Sequence, residues 1–362
     1  MATKFLEPGT SATQDLTFFS SNSGSVSSSS AVLDIGPRSL LLGSGSGEVT
    51  KNSVCQDSGT RISTTVYFTA FSTNTGEVIL ALSSIASKRI RVIVKSTGQL
   101  AIQDSSSNEL ATGSTLSTAT WYRLCLAYTI TDASTNEIRL FLNGTLDISI
   151  SNGTGISTGT AGFRLYNDSL AASNYHHSIY VDDSSSLTDP GSVGVTAKRP
   201  NANGTTNDFS TQIGAGGSGY GTGHSPQVNE RPLSTTNGWS MVGAGSAVTE
   251  EYTVEDATTG DIDISGVTLI DYIGWIYASS LVSETGKIIV AGVNTNKSLT
   301  STNTFFQAVA GSTTYPTGGT DIGLITSTTL TTVSLYECGL VFAYIRPAPV
   351  NTGRWLLVRW LS

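Results

Sequence analysis

The clearest hydrophobic pattern in the chain runs from Thr120 to Ile150 and predicts three consecutive antiparallel strands. Trp121 to Ile130 is largely apolar on both faces, which is typical of a strand inside a sandwich. After the polar turn Thr131 to Asn136, apolar and polar residues alternate with the period of a half-buried strand. Asn143-Gly144 then provides the positive φ angles that a two-residue hairpin turn needs, and the alternation resumes up to Ile150.

Short apolar segments separated by turn residues recur along the chain, and this spacing is the signature of a sandwich. In the first half the predicted strands are Arg38–Leu42, Ile62–Thr69, Glu77–Ser83, Arg89–Lys95, Gln99–Gln103, Phe163–Tyr166 and Ser178–Asp182. In the second half they are Trp239–Val242, Glu250–Val254, Val267–Ala278, Lys287–Val293, Phe305–Val309 and Thr332–Ile345. Leu269–Ala278 and Leu335–Ile345 are apolar on both faces and are predicted to be central strands. Because no helical period is sustained, we predict an all-β protein with two jelly-roll-like β-sandwich domains.

The strand groups predict four segments along the chain. Residues 1–30 form a polar N-terminal arm or loop, 31–188 a first jelly roll, 189–235 a Gly/Asn-rich irregular connection and 236–362 a second β-sandwich. The arm is either a flexible surface segment or a segment that orders against a neighbouring subunit, and both interpretations stay open. The C-terminal stretch Arg354–Leu361 is too hydrophobic for a free tail, so we expect it to complete a sheet or to be buried in a partner.

The first half of the chain resembles a known family of folds. Trp121-Tyr122-Arg123 with its alternating apolar residues, followed by the polar turn and by Ile138–Gly144, resembles laminin-G-like, concanavalin-type jelly rolls. Tyr180–Asp183 is similar to the closing strand of that domain. Within this group the chain is most similar to a type found in tailed-phage virion proteins, where an Arg-Pro-Asn-x-x-Gly segment, here Arg199–Gly204, precedes a second β-rich region. The resemblance implies a fold and a virion structural protein, and it specifies no chemistry.

Composition and charge narrow the choice of compartment and partner. Charged residues make up 13% of the chain, and the net charge is −8 without a basic stripe, which argues against a nucleic-acid partner. We find neither a signal-peptide apolar region nor an apolar run of roughly 18 residues, so we expect no membrane partner. Cys55, Cys125 and Cys338 are odd in number and lack a metal-binding spacing, and Cys125 is predicted to be buried. A Ser/Thr/Gly-rich β protein without a secretion signal favours a virion component that folds in the host cytoplasm, and a cytosolic β-sandwich of unusual composition is the alternative.

No catalytic, cofactor-binding or metal-binding set is predicted. Gly214–Gly219 matches a dinucleotide-binding pattern, but the following sequence cannot begin the helix that this function requires. His176 and His177 are adjacent on a strand and point to opposite faces, so we expect structural or surface roles for them and for His224. No Ser-His-Asp set is recognisable.

Carboxylate patterns likewise argue against catalysis. Concanavalin-type glucanases carry Glu-x-Asp-x-Glu on one strand, and this chain lacks it. Glu250-Glu251, Glu255-Asp256 and Asp261-x-Asp263 are interpreted as solvated edge charges that discourage aggregation. Asp182-Asp183 is interpreted as a hydrogen-bonded or solvent-facing pair, with a structural Ca²⁺ site as the alternative. We therefore expect no cofactor and no enzymatic activity.

Two functional hypotheses from different classes remain, and an enzyme that degrades polysaccharides ranks third. The first is a capsid decoration or cement protein, a homo-oligomer that stabilises the particle through contacts with the major capsid protein or other virion proteins. The second is a module of a tail fibre or spike that binds a receptor or surface glycan. A cluster of Trp and Tyr on one exposed face would support the second, and Trp239 or Tyr220 are its expected contributors.

Overall fold

The protein is all-β in the part of the chain that the computed structural model describes. This part comprises residues 3–7, 19, 21–31, 34, 39–45, 47–71, 77–84, 87–159, 161–167, 172–209, 211–213, 238–242, 247–259, 262–279, 284–290, 293–299, 304–307, 315, 320–326 and 332–346. No helix in these ranges could span a membrane. The strands are β1 Thr3–Glu7, β2 Ser21–Ser23, β3 Val26–Ser29, β4 Ser39–Leu42, β5 Gly47–Cys55, β6 Thr60–Phe68, β7 Glu77–Ser84, β8 Ser87–Val94, β9 Gln99–Gln103, β10 Glu109–Thr115, β11 Trp121–Ile130, β12 Asn136–Leu142, β13 Thr145–Ser151, β14 Ala161–Asn167, β15 Asn174–Asp182, β16 Val193–Lys198, β17 Pro200–Asn207, β18 Thr211–Ile213, β19 Gly238–Val242, β20 Thr249–Val254, β21 Leu269–Ser279, β22 Glu284–Val290, β23 Val293–Leu299, β24 Thr304–Gln307, β25 Thr320–Ile325 and β26 Thr332–Ile345.

These strands form four sheets, which we name A to D. Sheet A has the order β13-β12-β11-β6-β15-β4-β3, and β1 also pairs with β15. Sheet B has the order β10-β9-β8-β7-β14-β5-β2. Sheet C has the order β18-β19-β26-β21-β24, with β16 also paired to β26, and sheet D has the order β17-β20-β25-β22-β23. Neighbouring strands are antiparallel, so short turns suffice to connect many of them.

Sheets A and B pack face to face around one core. Alternate residues of each strand enter it, among them Ile62, Leu124 and Leu126 from sheet A and Val92 and Leu165 from sheet B. This alternation follows from the two-residue period of a strand. The opposite face of sheet A carries a different set of side chains, some of which, such as Cys125 and Ala127, are also buried, and the candidate site lies on this face.

Sheet C is buried on both of its faces. Along β26, Leu340 and Phe342 enter the core shared with sheet D. Val341 and Ala343 point to the other face and belong to the same core as the inward residues of sheets A and B. Val195 of β16 belongs to the latter core as well. The prediction that Leu269–Ala278 and Leu335–Ile345 are central strands is confirmed, because β21 and β26 pair on both edges.

The prediction made for Thr120–Ile150 is confirmed in detail. β11, β12 and β13 occupy the predicted positions, and Asn143 and Gly144 have φ angles of 51° and 93° in the turn between the last two. Outside residues 1–30 and 189–235, the sequence analysis missed β5, β10, β23 and β25. β10 is mostly exposed or half-buried, so polar residues fill it and no apolar alternation marks it.

The expectation of an irregular connection across residues 189–235 is wrong for its described part. β16 pairs with β26, β17 with β20 and β18 with β19. All six residues of β16 are buried, although Gly194, Thr196 and Lys198 alternate with its apolar residues. Small and polar residues thus occupy buried positions of β16, so the strand lacks the apolar run that would mark it as buried in the sequence. The division of the chain into domains stays a prediction.

The N-terminal residues pair within the chain. β1 lies beside β15 in sheet A, β2 beside β5 in sheet B, and β3 beside β4 in sheet A. Phe19 is buried, and its ring packs edge-on against Phe163 at a centroid distance of 6.3 Å. Contact of this segment with a neighbouring subunit stays a prediction, and the C-terminal stretch Arg354–Leu361 lies outside the described residues.

Candidate functional site

An aromatic row crosses the outer face of sheet A. Trp121 of β11 lies directly opposite Tyr67 of β6, and Tyr67 lies directly opposite Tyr175 of β15. All three side chains are half-buried. Because residues directly opposite each other on neighbouring strands share a face, the pairing register alone brings these rings together. We call this set the aromatic row.

The three rings are in contact. The centroids of Tyr67 and Trp121 are 5.6 Å apart with an interplanar angle of 52°, and those of Tyr67 and Tyr175 are 6.0 Å apart with an angle of 82°. These distances lie in the range of favourable aromatic pairs. The rings therefore support one another and present a connected apolar surface in which no two neighbouring rings are coplanar.

An ion pair lies in the next row of the same face. Arg123 follows Trp121 by two residues on β11 and lies opposite Thr65. Its guanidinium binds Asp189 in a bidentate manner, with Nη1–Oδ1 and Nη2–Oδ2 distances of 2.5 and 2.6 Å. The backbone N–H of Arg123 donates to the Asn143 side chain at 2.9 Å, so the hairpin turn helps to hold this pair in place.

A second ion pair, between Asp34 and Arg346, lies beside Thr65, the residue opposite Arg123. Asp34 accepts a hydrogen bond from the Thr65 hydroxyl at 3.0 Å and pairs with Arg346 at 2.7 Å. Arg346 also donates to the Ser178 hydroxyl at 2.8 Å. Ser178 has a φ of 52° at a β-bulge of β15, which turns its hydroxyl toward this cluster. Arg346 follows β26, so this cluster joins sheet C to sheet A.

A third ion pair, between Arg61 and Asp182, is buried further along sheet A. Asp182 binds Arg61 through Nε at 3.1 Å and Nη2 at 2.7 Å, and it also accepts from the Ser184 N–H at 2.9 Å. The oxygens of Asp182 are thus occupied by a guanidinium and a backbone amide. These contacts agree with the hydrogen-bonded interpretation for Asp182, and the role of Asp183 stays a prediction. Among the described residues, no group of three or more His, Cys, Asp or Glu side chains could hold a metal ion.

Both predicted strand histidines are buried. His176 pairs with Leu40 and Val66, which are core residues, so its ring enters the core between sheets A and B. Neither ring nitrogen has a hydrogen-bond partner within the described part of the chain, and burial lowers the pKa of His176 to about 3. His177 points to the other face, and its Nδ1 lies 2.7 Å from the Ser178 hydroxyl. These positions give the pair structural roles and exclude the expected alternative of a surface role.

The expectation that Glu250 and Glu251 are solvated edge charges is wrong. Both are buried, because β20 lies between β17 and β25 and is no edge of sheet D. Glu250 accepts from the Phe209 N–H at 2.9 Å, and Glu251 forms an ion pair with Lys287. Burial, followed by the Glu250 charge, raises the pKa of Tyr252.

The remaining candidates keep their interpretation or fall outside the described residues. Asp256 and Asp263 are exposed, and hydrogen bonds from Ser265 lower the pKa of Asp263. Cys125 is buried as predicted, and burial raises the pKa of its thiol. Outside the described residues lie Gly214–Gly219, Tyr220, His224 and Asp261, and only the backbone of Trp239 on β19 is described.

Sequence reasoning missed the aromatic row because its members are far apart in the chain. Tyr67, Trp121 and Tyr175 are each separated by more than fifty residues, and only the pairing register of three strands aligns them. A partial signal was nevertheless present: Tyr67 and Trp121 occupy outward positions of strands whose inward positions include Val66, Phe68 and Leu124, whereas Tyr175 stands between the buried polar residues Asn174 and His176.

Comparison with known proteins finds similarity in architecture. No protein-family model and no curated protein sequence matches the chain. Among solved structures, an endo-β-1,4-glucuronan lyase from the fungus Trichoderma reesei is 13% identical with a TM-score of 0.41, and the match covers 52% of this chain and 98% of the lyase. A carbohydrate esterase from the Shiga toxin-encoding bacteriophage phi24B is 12% identical with a TM-score of 0.36, covering 49% and 97%. The carbohydrate recognition domain of Emp46p, in a metal-free form, is 13% identical with a TM-score of 0.35, covering 50% and 95%. At these values, the function has to be argued from the chain's own residues.

Proposed function

We propose that this protein is a carbohydrate-binding β-sandwich protein and that the aromatic row is its binding surface. The observation that carries the proposal is the contact of three half-buried aromatic rings, Tyr67, Trp121 and Tyr175, on one face of sheet A. Contiguous apolar patches on a protein surface often mark binding sites, whereas apolar residues exposed singly are common and need no such explanation.

The chemistry of the row suits a sugar. The face of an aromatic ring is electron-rich, so it attracts the weakly positive C–H groups that cover one face of a pyranose. Tyr67 and Tyr175 also carry hydroxyl groups that can donate to or accept from sugar hydroxyls. Arg123, Asp189 and Asp34 add planar polar groups one row away, and a few such groups fix the orientation of a ligand on an apolar surface.

A glycan array tests this function. The full-length protein, labelled at surface amines, is applied to immobilised bacterial, plant and animal glycans. We expect binding to a structurally related group of glycans, and binding that soluble forms of those glycans abolish. An array without any competable signal would overturn the proposed function.

We further propose that the protein acts on a tailed-phage virion, in a fibre or spike, as a homo-oligomer that folds in the host cytoplasm. The sequence resemblance supports this placement, and a carbohydrate-binding surface would serve attachment to the glycans of a host cell. We propose binding without catalysis, because the acidic residues Glu250, Glu251 and Asp182 are committed to buried contacts.

A capsid decoration or cement protein is the second candidate. Trp, Tyr and Arg are the residue types that dominate protein–protein interfaces, and the aromatic row with Arg123 has this composition. Mass spectrometry of purified particles, with the copy number measured relative to the major capsid protein, separates the two. A copy number in the low tens or fewer supports a fibre or spike, whereas hundreds of copies matching the capsid lattice would favour decoration.

A further inference from the structure

We propose that the aromatic row binds an uncharged, linear polysaccharide along its length, across the strands of sheet A, and not the terminal sugar of a glycan. This inference rests on the proposed function and specifies its ligand. Three features of the row support it: the spacing of its rings, the direction in which it extends and the neutrality of the charges beside it.

Ring spacing sets the number of sugars that can stack. Successive centroids along Trp121, Tyr67 and Tyr175 are 5.6 and 6.0 Å apart. This interval is close to the length of one pyranose residue in an extended chain. Consecutive sugars can therefore each meet one ring, whereas a single terminal sugar would use one ring and leave the other two without a role.

The row continues beyond the rings. Leu41 of β4 lies opposite Tyr175, and Ser27 of β3 lies opposite Leu41, and both are half-buried. Five positions on five neighbouring strands thus follow one line perpendicular to the strands. At roughly 4.8 Å per strand interval the line is about 19 Å long, enough for several sugar residues.

The rings also indicate the shape of the chain. The plane of Tyr67 is inclined by 52° to that of Trp121 and by 82° to that of Tyr175. A flat ribbon of sugars could therefore stack on one ring only. A chain whose successive residues are rotated about its axis can present a C–H face to each ring in turn. We therefore infer that the ligand is a twisted chain rather than a flat one.

Charge beside the row is balanced. Arg123 pairs with Asp189, and Arg346 pairs with Asp34, so each guanidinium has a carboxylate of its own. The side chains of both pairs are only 11–15% exposed, so a charged sugar would compete with a preformed ion pair for either partner. Hydroxyl groups can instead bind the outer atoms of intact pairs. An uncharged polysaccharide fits this surface, and a uronic-acid or sialic-acid polymer does not.

Calorimetric titration with oligosaccharides of defined length tests the inference. The probes are xylo-, cello-, manno- and malto-oligosaccharides of one to six residues, with oligogalacturonides of the same lengths as the charged series. For the xylo- or malto-series, whose chains are twisted, we expect the affinity to rise by at least tenfold from one residue to three or four and then to level off, and a rise confined to the flat cello- and manno-series would overturn the twisted ligand. Tyr175→Ala should remove the gain at the longer lengths while leaving the affinity for the disaccharide within about twofold. Tyr166→Ala, a half-buried tyrosine on sheet B, is the matched control and should change neither.

The outcomes separate this inference from the proposed function. Equal affinity for a monosaccharide and a hexasaccharide, or tighter binding of the oligogalacturonides, would overturn the linear, uncharged ligand while leaving carbohydrate binding intact. If none of the probes binds but the glycan array shows competable binding to branched or terminal structures, the inference is likewise overturned. Failure on both the array and the titrations would overturn the proposed function itself.

Discussion

Asp182 and His176 are buried polar residues of sheet A, and each avoids the free-energy cost of an unpaired buried charge in a different way. Asp182 has the guanidinium of Arg61, whereas His176 has only apolar core residues opposite it. A buried charge needs a partner, and an imidazole can avoid the need by staying neutral. The stability of the protein should therefore depend on pH through His176 and on the intact pair through Asp182.

Acid should destabilise the protein through His176. In the unfolded chain its pKa is about 6.5, whereas burial lowers the pKa in the folded chain to about 3. Between these values the unfolded state binds the proton and the folded state does not, so stability falls as pH falls. The loss is about 1.4 kcal/mol per pH unit, or about 2 kcal/mol at pH 5 relative to pH 6.5.

His176→Leu provides the comparison. Urea unfolding between pH 4.5 and pH 8 should show a slope below about pH 6 that approaches one proton steeper in the wild type than in the variant, and equal slopes above about pH 7. Parallel slopes for the two proteins would contradict the neutral, buried state of His176.

Removing one member of the Arg61–Asp182 pair should be costly. Asp182→Asn leaves the buried guanidinium without its carboxylate, and we expect a loss of about 3–5 kcal/mol in the free energy of unfolding. The control is Glu109→Gln, which breaks the Lys95–Glu109 pair. Its side chains are 31% and 41% exposed, so the loss should stay below about 1 kcal/mol. Similar losses in chemical denaturation of the two variants would refute the assigned role of burial.

At the scale of single elements, turns need glycine for two separable reasons, backbone conformation and lack of space for a side chain. Gly98 has a φ of 83° in the turn between β8 and β9, and a Cβ atom there would lie 2.6 Å from the Leu116 carbonyl and from the Phe71 ring. Gly45 has a φ of 88° but nothing within 4 Å of the corresponding position. The first glycine is required by conformation and by space, and the second by conformation alone.

Gly98→Ala should therefore cost more than Gly45→Ala. Both substitutions pay roughly 1–2 kcal/mol for a left-handed alanine, and only the first adds about 1–3 kcal/mol of overpacking. Thermal melting of both variants measures the difference. Equal shifts would show that the space around Gly98 is not limiting.

Elements with a strong local apolar pattern and flanking turn residues could be predicted from the sequence, and elements buried by residues distant in the chain could not. β9 and β26 match their predicted bounds because their apolar positions and flanking turns are local signals. β16 was missed because residues distant in the chain bury it, and its own Gly194, Thr196 and Lys198 do not indicate a buried strand. The aromatic row was missed for the same reason, since a pairing register between distant strands is not encoded in any one of them.

At the scale of the whole molecule, sheet C makes the two sandwiches interdependent. Val341 and Ala343 on one face of β26 join the core of sheets A and B, while Leu340 and Phe342 on the other face join the core with sheet D. The Asp34–Arg346–Ser178 cluster adds polar contacts across the same boundary. Neither sandwich can lose sheet C without exposing apolar surface.

The protein should therefore unfold in one cooperative transition. Val341→Ala removes apolar contacts on the boundary and should lower the free energy of unfolding by about 2 kcal/mol. Calorimetry should show a single peak that moves to lower temperature as a whole in this variant. Two resolved peaks, with only one displaced by the substitution, would contradict the interdependence of the sandwiches.

The central claim is that the aromatic row binds carbohydrate, and Trp121 is the residue that tests it most directly. Isothermal titration of the best glycan from the array into wild type, Trp121→Ala and the control Tyr166→Ala is the decisive measurement, with circular dichroism confirming that all three are folded. Loss of one stacking surface should weaken binding roughly tenfold, corresponding to about 1.4 kcal/mol. We predict this loss in Trp121→Ala and wild-type affinity in Tyr166→Ala. Unchanged affinity in a folded Trp121→Ala protein would contradict the account and place the binding surface elsewhere.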